Sequence, residues 1–181
     1  MKEYENNNLN NFIAGWYIDS TVCDNIVKKG EEDISVFSSG IKQYTDADLK
    51  VFDENLFDQY CNNLWPVIEA YKKMYPLCFE DLQRWGLSAP RIQRYDPGMY
   101  YNMWHCENQG YPSVRNRHLA YMTYLNDIDI GGGTEFINQK LTTPAQKGLT
   151  LLWPATWTHY HRGVVAPKDT KYIITGWCLF L

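Results

Sequence analysis

Three side chains in this sequence could chelate one metal ion: His105 and Glu107, two residues apart, and a histidine from the distant segment His159-Tyr160-His161. On an extended strand alternate side chains share a face, so a strand through Trp104-His105-Cys106-Glu107 would point His105 and Glu107 the same way. A second imidazole from a far strand would complete two imidazoles and a carboxylate on one face of an octahedron. That leaves positions for oxygen and a cosubstrate, the layout suited to non-haem ferrous chemistry. His159 and His161 both compete for the second imidazole position, since they would lie on the same strand face. Farther on, Lys171, Ile173, Thr175 and Trp177 share one face of a strand that is otherwise apolar. A buried ammonium is costly unless an anion meets it. Lys171 therefore either snorkels to solvent or receives a carboxylate, with the Thr175 hydroxyl as a second donor.

The chain that must position these groups has 181 residues, enough for one domain with a real core. Its 45% hydrophobic and 21% charged residues are a globular composition, and 15% aromatics favour pleated, half-buried surfaces. A net charge of -4 and a pI near 5.5, with no clustered Lys or Arg, argue against a nucleic-acid partner. The five cysteines are scattered and form no Cys-x-x-Cys, so neither a disulfide framework nor a zinc ribbon is indicated. The start of the sequence has no apolar core of the signal-peptide kind, and no stretch approaches membrane-spanning length. A cytoplasmic protein with no membrane partner is expected.

The first half reads as helical. Val22, Cys23, Ile26 and Val27 recur at helical spacing, with Asp19 or Ser20 to cap the start and Gly30 to end it. Leu56, Phe57, Tyr60, Leu64, Val67, Ile68 and Tyr71 form a longer amphipathic stripe, in which Pro66 predicts a kink or break. After Pro90 short β-like runs follow: 92–95, 100–106, 118–126, 134–136, 148–153, 158–163 and 171–180. Asp96-Pro97-Gly98, Gly131-Gly132-Gly133, Pro154 and Pro167 supply turn chemistry between them. The expected fold is α+β and mainly β: a double-stranded β-helix (jelly roll) with N-terminal helices packed on one sheet. It forms one domain over 1–181, helical in about 1–88, with the jelly-roll core in about 90–181.

The blocks Tyr95-Asp96-Pro97-Gly98, His105-Cys106-Glu107, Tyr124-Leu125-Asn126-Asp127, Gly132-Gly133-Thr134-Glu135-Phe136, Lys147-Gly148, His161-Arg162-Gly163 and Lys171 to Trp177 resemble, in order, the catalytic domain of the prolyl 4-hydroxylase-like 2-oxoglutarate/iron(II) oxygenases. The similarity covers roughly 90–181 and extends vaguely to the entry around Phe12 to Lys29. In that family a second His ligand precedes the basic 2-oxoglutarate-binding residue by ten positions and a Trp by sixteen. His161, Lys171 and Trp177 reproduce both intervals, and this selects His161 over His159. The resemblance implies iron ligands His105, Glu107 and His161, with Lys171 on the distal carboxylate of 2-oxoglutarate. It also implies contacts from Tyr95, Tyr124 and Thr134 to the cosubstrate.

One position departs from the family: Glu107 stands where Asp is usual, so the strand or the metal must accommodate an extra methylene. A retained carboxylate argues against the related halogenases. The implied reaction is hydroxylation of a C–H bond, with succinate and carbon dioxide as co-products and ascorbate as an accessory reductant. A peptidyl proline in a peptide or protein partner is the leading substrate; a free amino acid or other small molecule is the alternative. A non-catalytic metal-binding jelly-roll module is a third reading. Cys106 alternates away from the ligand face and is expected to be a core thiol, His118 is expected at the surface, and Trp153 and Trp177 are expected to wall the site.

Overall fold

A computed structural model of the protein describes residues 1–5, 7–8, 10–32, 44–80, 82 and 84–181. In chain order the elements are β1 (Lys2–Glu3), β2 (Ala14–Tyr17), α1 (Ser20–Glu32), β3 (Thr45–Asp48), α2 (Leu49–Phe52), α3 (Glu54–Met74), α4 (Leu77–Glu80), β4 (Trp85–Leu87), β5 (Arg91–Tyr95), β6 (Arg117–Tyr124), β7 (Thr134–Phe136), β8 (Leu141–Thr143), β9 (Leu149–Pro154), β10 (His161–Gly163) and β11 (Lys171–Phe180). A 3-10 turn at Trp157–His159 precedes β10. The larger sheet runs β1-β2-β9-β6-β11-β5-β3, with β4 also paired to β11, and the smaller runs β10-β7-β8. The pairings within both sheets are antiparallel. The two sheets face each other as a jelly roll, as the turn-separated strand pattern predicts.

Period-two alternation on the larger sheet separates two jobs. Leu119 and Tyr121 of β6, Leu152 of β9, and Tyr172, Ile174 and Cys178 of β11 join a core with α1 and α3. Ala120, Met122 and Tyr124, Leu149, Leu151 and Trp153, and Ile173 turn inward toward Phe136 of the smaller sheet. The helices thus brace one face and leave the other for chemistry. Leu56, Tyr60, Leu64, Val67, Ile68 and Tyr71 of α3 are all buried. Each buried aliphatic side chain among them is worth roughly 1.5–3 kcal/mol. The Tyr60 hydroxyl meets Thr123 Oγ1 at 2.9 Å, which meets Thr150 Oγ1 at 2.7 Å, so the polar atoms trapped under α3 satisfy one another.

Several local expectations change. Asp19 does cap α1, its carboxylate accepting from the Thr21 backbone N–H at 2.9 Å, but Gly30 lies buried inside the helix and does not end it. Helix α3 continues through Pro66. Pro66 and Asn62 are both on the exposed side, so the carbonyl deprived of its donor can bond water. The segment up to 88 is not purely helical, because β2 pairs with β9 and β3 with β5 at the flanks of the larger sheet. Their four-residue length is too short for periodicity to separate them from loop.

Candidate metal and cosubstrate site

Residues 100–106 do not form the expected strand. His105 makes a single antiparallel bridge with His161, through N–H···O=C bonds of 3.1 and 2.9 Å between the two backbones. That bridge still turns His105 and Glu107 into the space between the sheets, so the two side chains face the same way as expected although no strand carries them. His161 begins β10, which pairs with β7 by the register His161↔Phe136.

The imidazoles are prepared as ligands by their other nitrogens. His105 Nδ1 lies 2.9 Å from the Met103 carbonyl, and His161 Nδ1 lies 2.9 Å from the His159 carbonyl. A carbonyl only accepts, so each Nδ1 carries a proton, and Nε2 is the ring nitrogen that faces Glu107. Both Nε2 atoms sit 3.4 Å from Glu107 Oε1. One ligand atom from each of the three residues lies within 4.8 Å of the others, a grouping able to hold a metal ion. Burial pushes the Glu107 carboxyl up, but its bonds to His105 and His161 and their charge outweigh this and hold it far below its ordinary value. Burial pulls the His105 pKa down, and Glu107 together with hydrogen bonds to the Met103 and His161 backbones raises it by more.

Outside this triad, Glu107 Oε2 accepts from Trp177 Nε1 at 2.8 Å and from the Arg117 guanidinium at 3.1 Å. Sequence reasoning missed Arg117. A bulge shifts the β6–β11 register between Cys178 and Leu179, pairing Leu119 with Cys178 and Arg117 with Leu179. This breaks simple alternation, so Arg117 reaches the site while His118 turns to the helices. His118 is therefore not a plain surface residue: its Nε2 bonds the Cys78 carbonyl at 2.6 Å, and its ring packs on Phe79 and Phe180. Cys106 is buried but is not the core thiol expected: it joins neither core cluster and lines the cleft beside its neighbours, its thiol donating to the Asn108 carbonyl at 3.5 Å.

The cleft has a volume of about 350 Å³, and His105, Glu107 and His161 line it together with Lys171, Ile173, Thr175 and Trp177 of β11. Lys171 is only 4% exposed and donates to the Gly132 carbonyl at 3.2 Å, its ammonium lying over the Tyr95 ring at 4.6 Å. No carboxylate of the described residues pairs with it, and burial pulls its pKa down to about 8. Gly132 has φ +71°, and a Cβ on Gly133 would stand 1.9 Å from the Thr143 carbonyl. The glycines thus let this loop close tightly and bring Gly132 to Lys171.

Tyr95 and Thr134 line the cleft as expected, although the Tyr95 hydroxyl donates to Gln93 Oε1 at 2.8 Å. Tyr124 is not among its lining residues: its hydroxyl meets Thr134 Oγ1 at 2.7 Å and Thr143 Oγ1 at 2.9 Å, both on the smaller sheet, so in this structure it supports Thr134 from behind. His159, the rival ligand, is in the 3-10 turn and not on the strand face of His161. Its Nε2–H donates to the Asn11 carbonyl at 2.8 Å, and its Nδ1 accepts from Thr158 Oγ1 at 2.9 Å, so neither nitrogen is free for a metal.

The donor set fits a ferrous ion and a dicarboxylate on this structure alone. Two imidazoles and a carboxylate suit the first, and an unpaired buried ammonium suits the second. Trp153, on the cleft wall and edge-on to His161 at 5.1 Å, adds a buried Nε1 without a partner among the described residues.

Known proteins bear on this geometry. Residues 90–179 match the family model for the 2OG-Fe(II) oxygenase superfamily. A 74-residue stretch is 34% identical to a multifunctional procollagen lysine hydroxylase and glycosyltransferase of Caenorhabditis elegans, covering 36% of this chain and only 10% of that protein. The fold resembles a viral collagen prolyl hydroxylase from Paramecium Bursaria Chlorella virus-1, solved with 2OG, at TM-score 0.72 and 14% identity over 94% of this chain and 96% of that one. A Pseudomonas putida prolyl-4-hydroxylase superposes at TM-score 0.73 and 12% identity, over 94% of each chain. A Trichoplax adhaerens prolyl hydroxylase, solved with a hypoxia inducible factor peptide fragment, does so at 0.70 and 17%, over 94% and 84%. The converging ligands, the jelly roll that carries them and the family match agree: the chain belongs to the 2OG-Fe(II) oxygenase superfamily, and its cofactors are iron(II) and 2-oxoglutarate.

Proposed function

We propose that His105, Glu107 and His161 hold the iron, that Lys171 holds the distal carboxylate of 2-oxoglutarate, and that the chain hydroxylates a peptidyl residue, with proline the preferred target. When bound, iron and 2-oxoglutarate supply the oxidising power: one atom of O2 enters a C–H bond, the other enters succinate, and CO2 leaves. The protein positions and protects. Lys171 keeps its proton on Nζ when a carboxylate arrives, since the new charge partner offsets the burial that otherwise disfavours the ammonium. Met122, Ile173 and Trp153 give the cleft a dry wall.

The observation that carries the preference for proline is the charge of the cleft. Among the described lining residues Glu107 is the only carboxylate, and its oxygens already face His105, His161, Arg117 and Trp177. A lysine side chain brought to the metal would find no free anion, and Lys171 and Arg117 would repel its ammonium. An uncharged proline ring meets no such cost, and the exposed Tyr111 with Tyr44 and Tyr101 offers it and its flanking backbone aromatic surface.

A non-catalytic metal-binding module is disfavoured because a metal site alone has no need of the buried Lys171. The expected cytoplasmic setting is supported by five unpaired cysteines. The test is succinate release with proline-rich peptides, matched peptides carrying Lys in place of Pro, and free proline. We expect release to rise with the proline peptides alone. Equal stimulation by the lysine peptides would refute the electrostatic argument, and stimulation by free proline alone would move the substrate to the small-molecule class.

A further inference from the structure

Glu107 carries one methylene more than the aspartate its position resembles, and a longer carboxylate can swing, rotate, or present both oxygens to a metal. Swinging or rotation carries the carboxylate oxygen away from the two histidines unless the side chain is held. In this structure the two oxygens have separate duties: Oε1 is 3.4 Å from each histidine Nε2, while Oε2 accepts from Trp177 Nε1 at 2.8 Å and Arg117 at 3.1 Å. The guanidinium is itself fixed. It also donates to the Glu107 backbone carbonyl at 3.2 Å and lies over the Trp177 ring, its Cζ 3.5 Å from the centroid. Trp177 is anchored from the other side, its backbone N–H donating to Ser88 Oγ at 2.8 Å.

We propose that Arg117 and Trp177 are positioning residues for Glu107: stacked on each other, they hold its outer oxygen so that the longer, freer carboxylate keeps Oε1 aimed at the position between the two histidine Nε2 atoms. This rests on the assignment of His105, Glu107 and His161 as the ligands. Neither residue touches the ion; both act through Glu107. Trp177 supplies the directional N–H and the flat surface, and Arg117 supplies charge and a fork that grips one residue at two oxygens.

The test is Mn(II) binding to the metal-free protein, followed by the electron paramagnetic resonance of free Mn(II), with no turnover required. Wild type is expected to bind one equivalent. Trp177→Phe keeps the packing but loses the N–H, and Arg117→Gln loses the charge and the fork. Each is expected to weaken Mn(II) binding by about 10- to 100-fold with an unchanged thermal midpoint of the metal-free protein, and the double variant is expected to lose less than the product of the two. Arg117→Lys restores the charge without the stack and should recover only part.

Mn(II) affinity equal to wild type in both single variants would overturn the proposal. If Trp177→Phe fails to fold, Arg117→Gln decides alone by the same criterion. Absence of Mn(II) binding by wild type would instead refute the ligand assignment itself, and the proposal with it.

Discussion

Raising the pH from 7 to 9 should weaken 2-oxoglutarate binding about tenfold, for a reason located at one atom. Burial pulls the Lys171 pKa down to about 8, well below the ~10.4 of an ordinary lysine. A pKa lowered this way means that the free site loses its ammonium above pH 8, and a carboxylate can pair only with the ammonium. If binding requires that form, the apparent dissociation constant scales as one plus ten to the power of pH minus 8. The factor is about 1.1 at pH 7, about 2 at pH 8 and about 11 at pH 9. The tenfold loss between the ends corresponds to ~1.4 kcal/mol.

Isothermal titration of 2-oxoglutarate into Mn(II)-loaded protein without oxygen, at pH 7, 8 and 9, reads this directly. A 2-oxo acid lacking the distal carboxylate serves as the control, because it shares any pH effect at the metal and none at Lys171. Lys171→Ala should remove the pH dependence and weaken 2-oxoglutarate by roughly 10- to 150-fold, the loss expected for a charge-assisted hydrogen bond. A flat affinity for 2-oxoglutarate across pH 7 to 9, or an equal slope for the control acid, would refute the reasoning.

His161→Ala and His105→Ala should each abolish Mn(II) binding. His159→Ala should leave it intact and lower the thermal midpoint, because two part-buried hydrogen bonds to Asn11 and Thr158 are lost at ~0.5–1.5 kcal/mol each; loss of metal in His159→Ala would reverse the assignment. Gly133→Ala should destabilise the protein by at least ~1–3 kcal/mol in denaturant unfolding, since its Cβ would meet the Thr143 backbone carbonyl at 1.9 Å. An unchanged midpoint would show that the loop before β7 yields more easily than its packing implies.

What could be read in the sequence, and what could not, follows from the range of each interaction. The inward set of β11 was legible because ten residues of strict alternation carry Lys171, Ile173, Thr175 and Trp177 to one side. The shared orientation of His105 and Glu107 was legible by spacing, yet the absence of a strand around them was not, because one bridge to His161 does the work of a ladder and leaves no periodic trace. Arg117 was hidden by the bulge opposite Cys178 and Leu179, which no local pattern announces. Tyr124 was placed at the cosubstrate by family resemblance alone; the partners its hydroxyl takes, Thr134 and Thr143, are brought there by the pairing of β7 with β8, which the local sequence does not announce. His159 and His161 could not be separated by alternation alone, and the 3-10 turn that parts them depends on Asn11, far away in the chain.

The most direct measurement is a crystal structure of the protein grown without oxygen in Mn(II) and 2-oxoglutarate. The account predicts one ion bound by Nε2 of His105, Nε2 of His161 and one oxygen of Glu107, with the distal carboxylate of 2-oxoglutarate on Lys171 Nζ. An ion held by other side chains, or a distal carboxylate that leaves Lys171 unpaired, would contradict it.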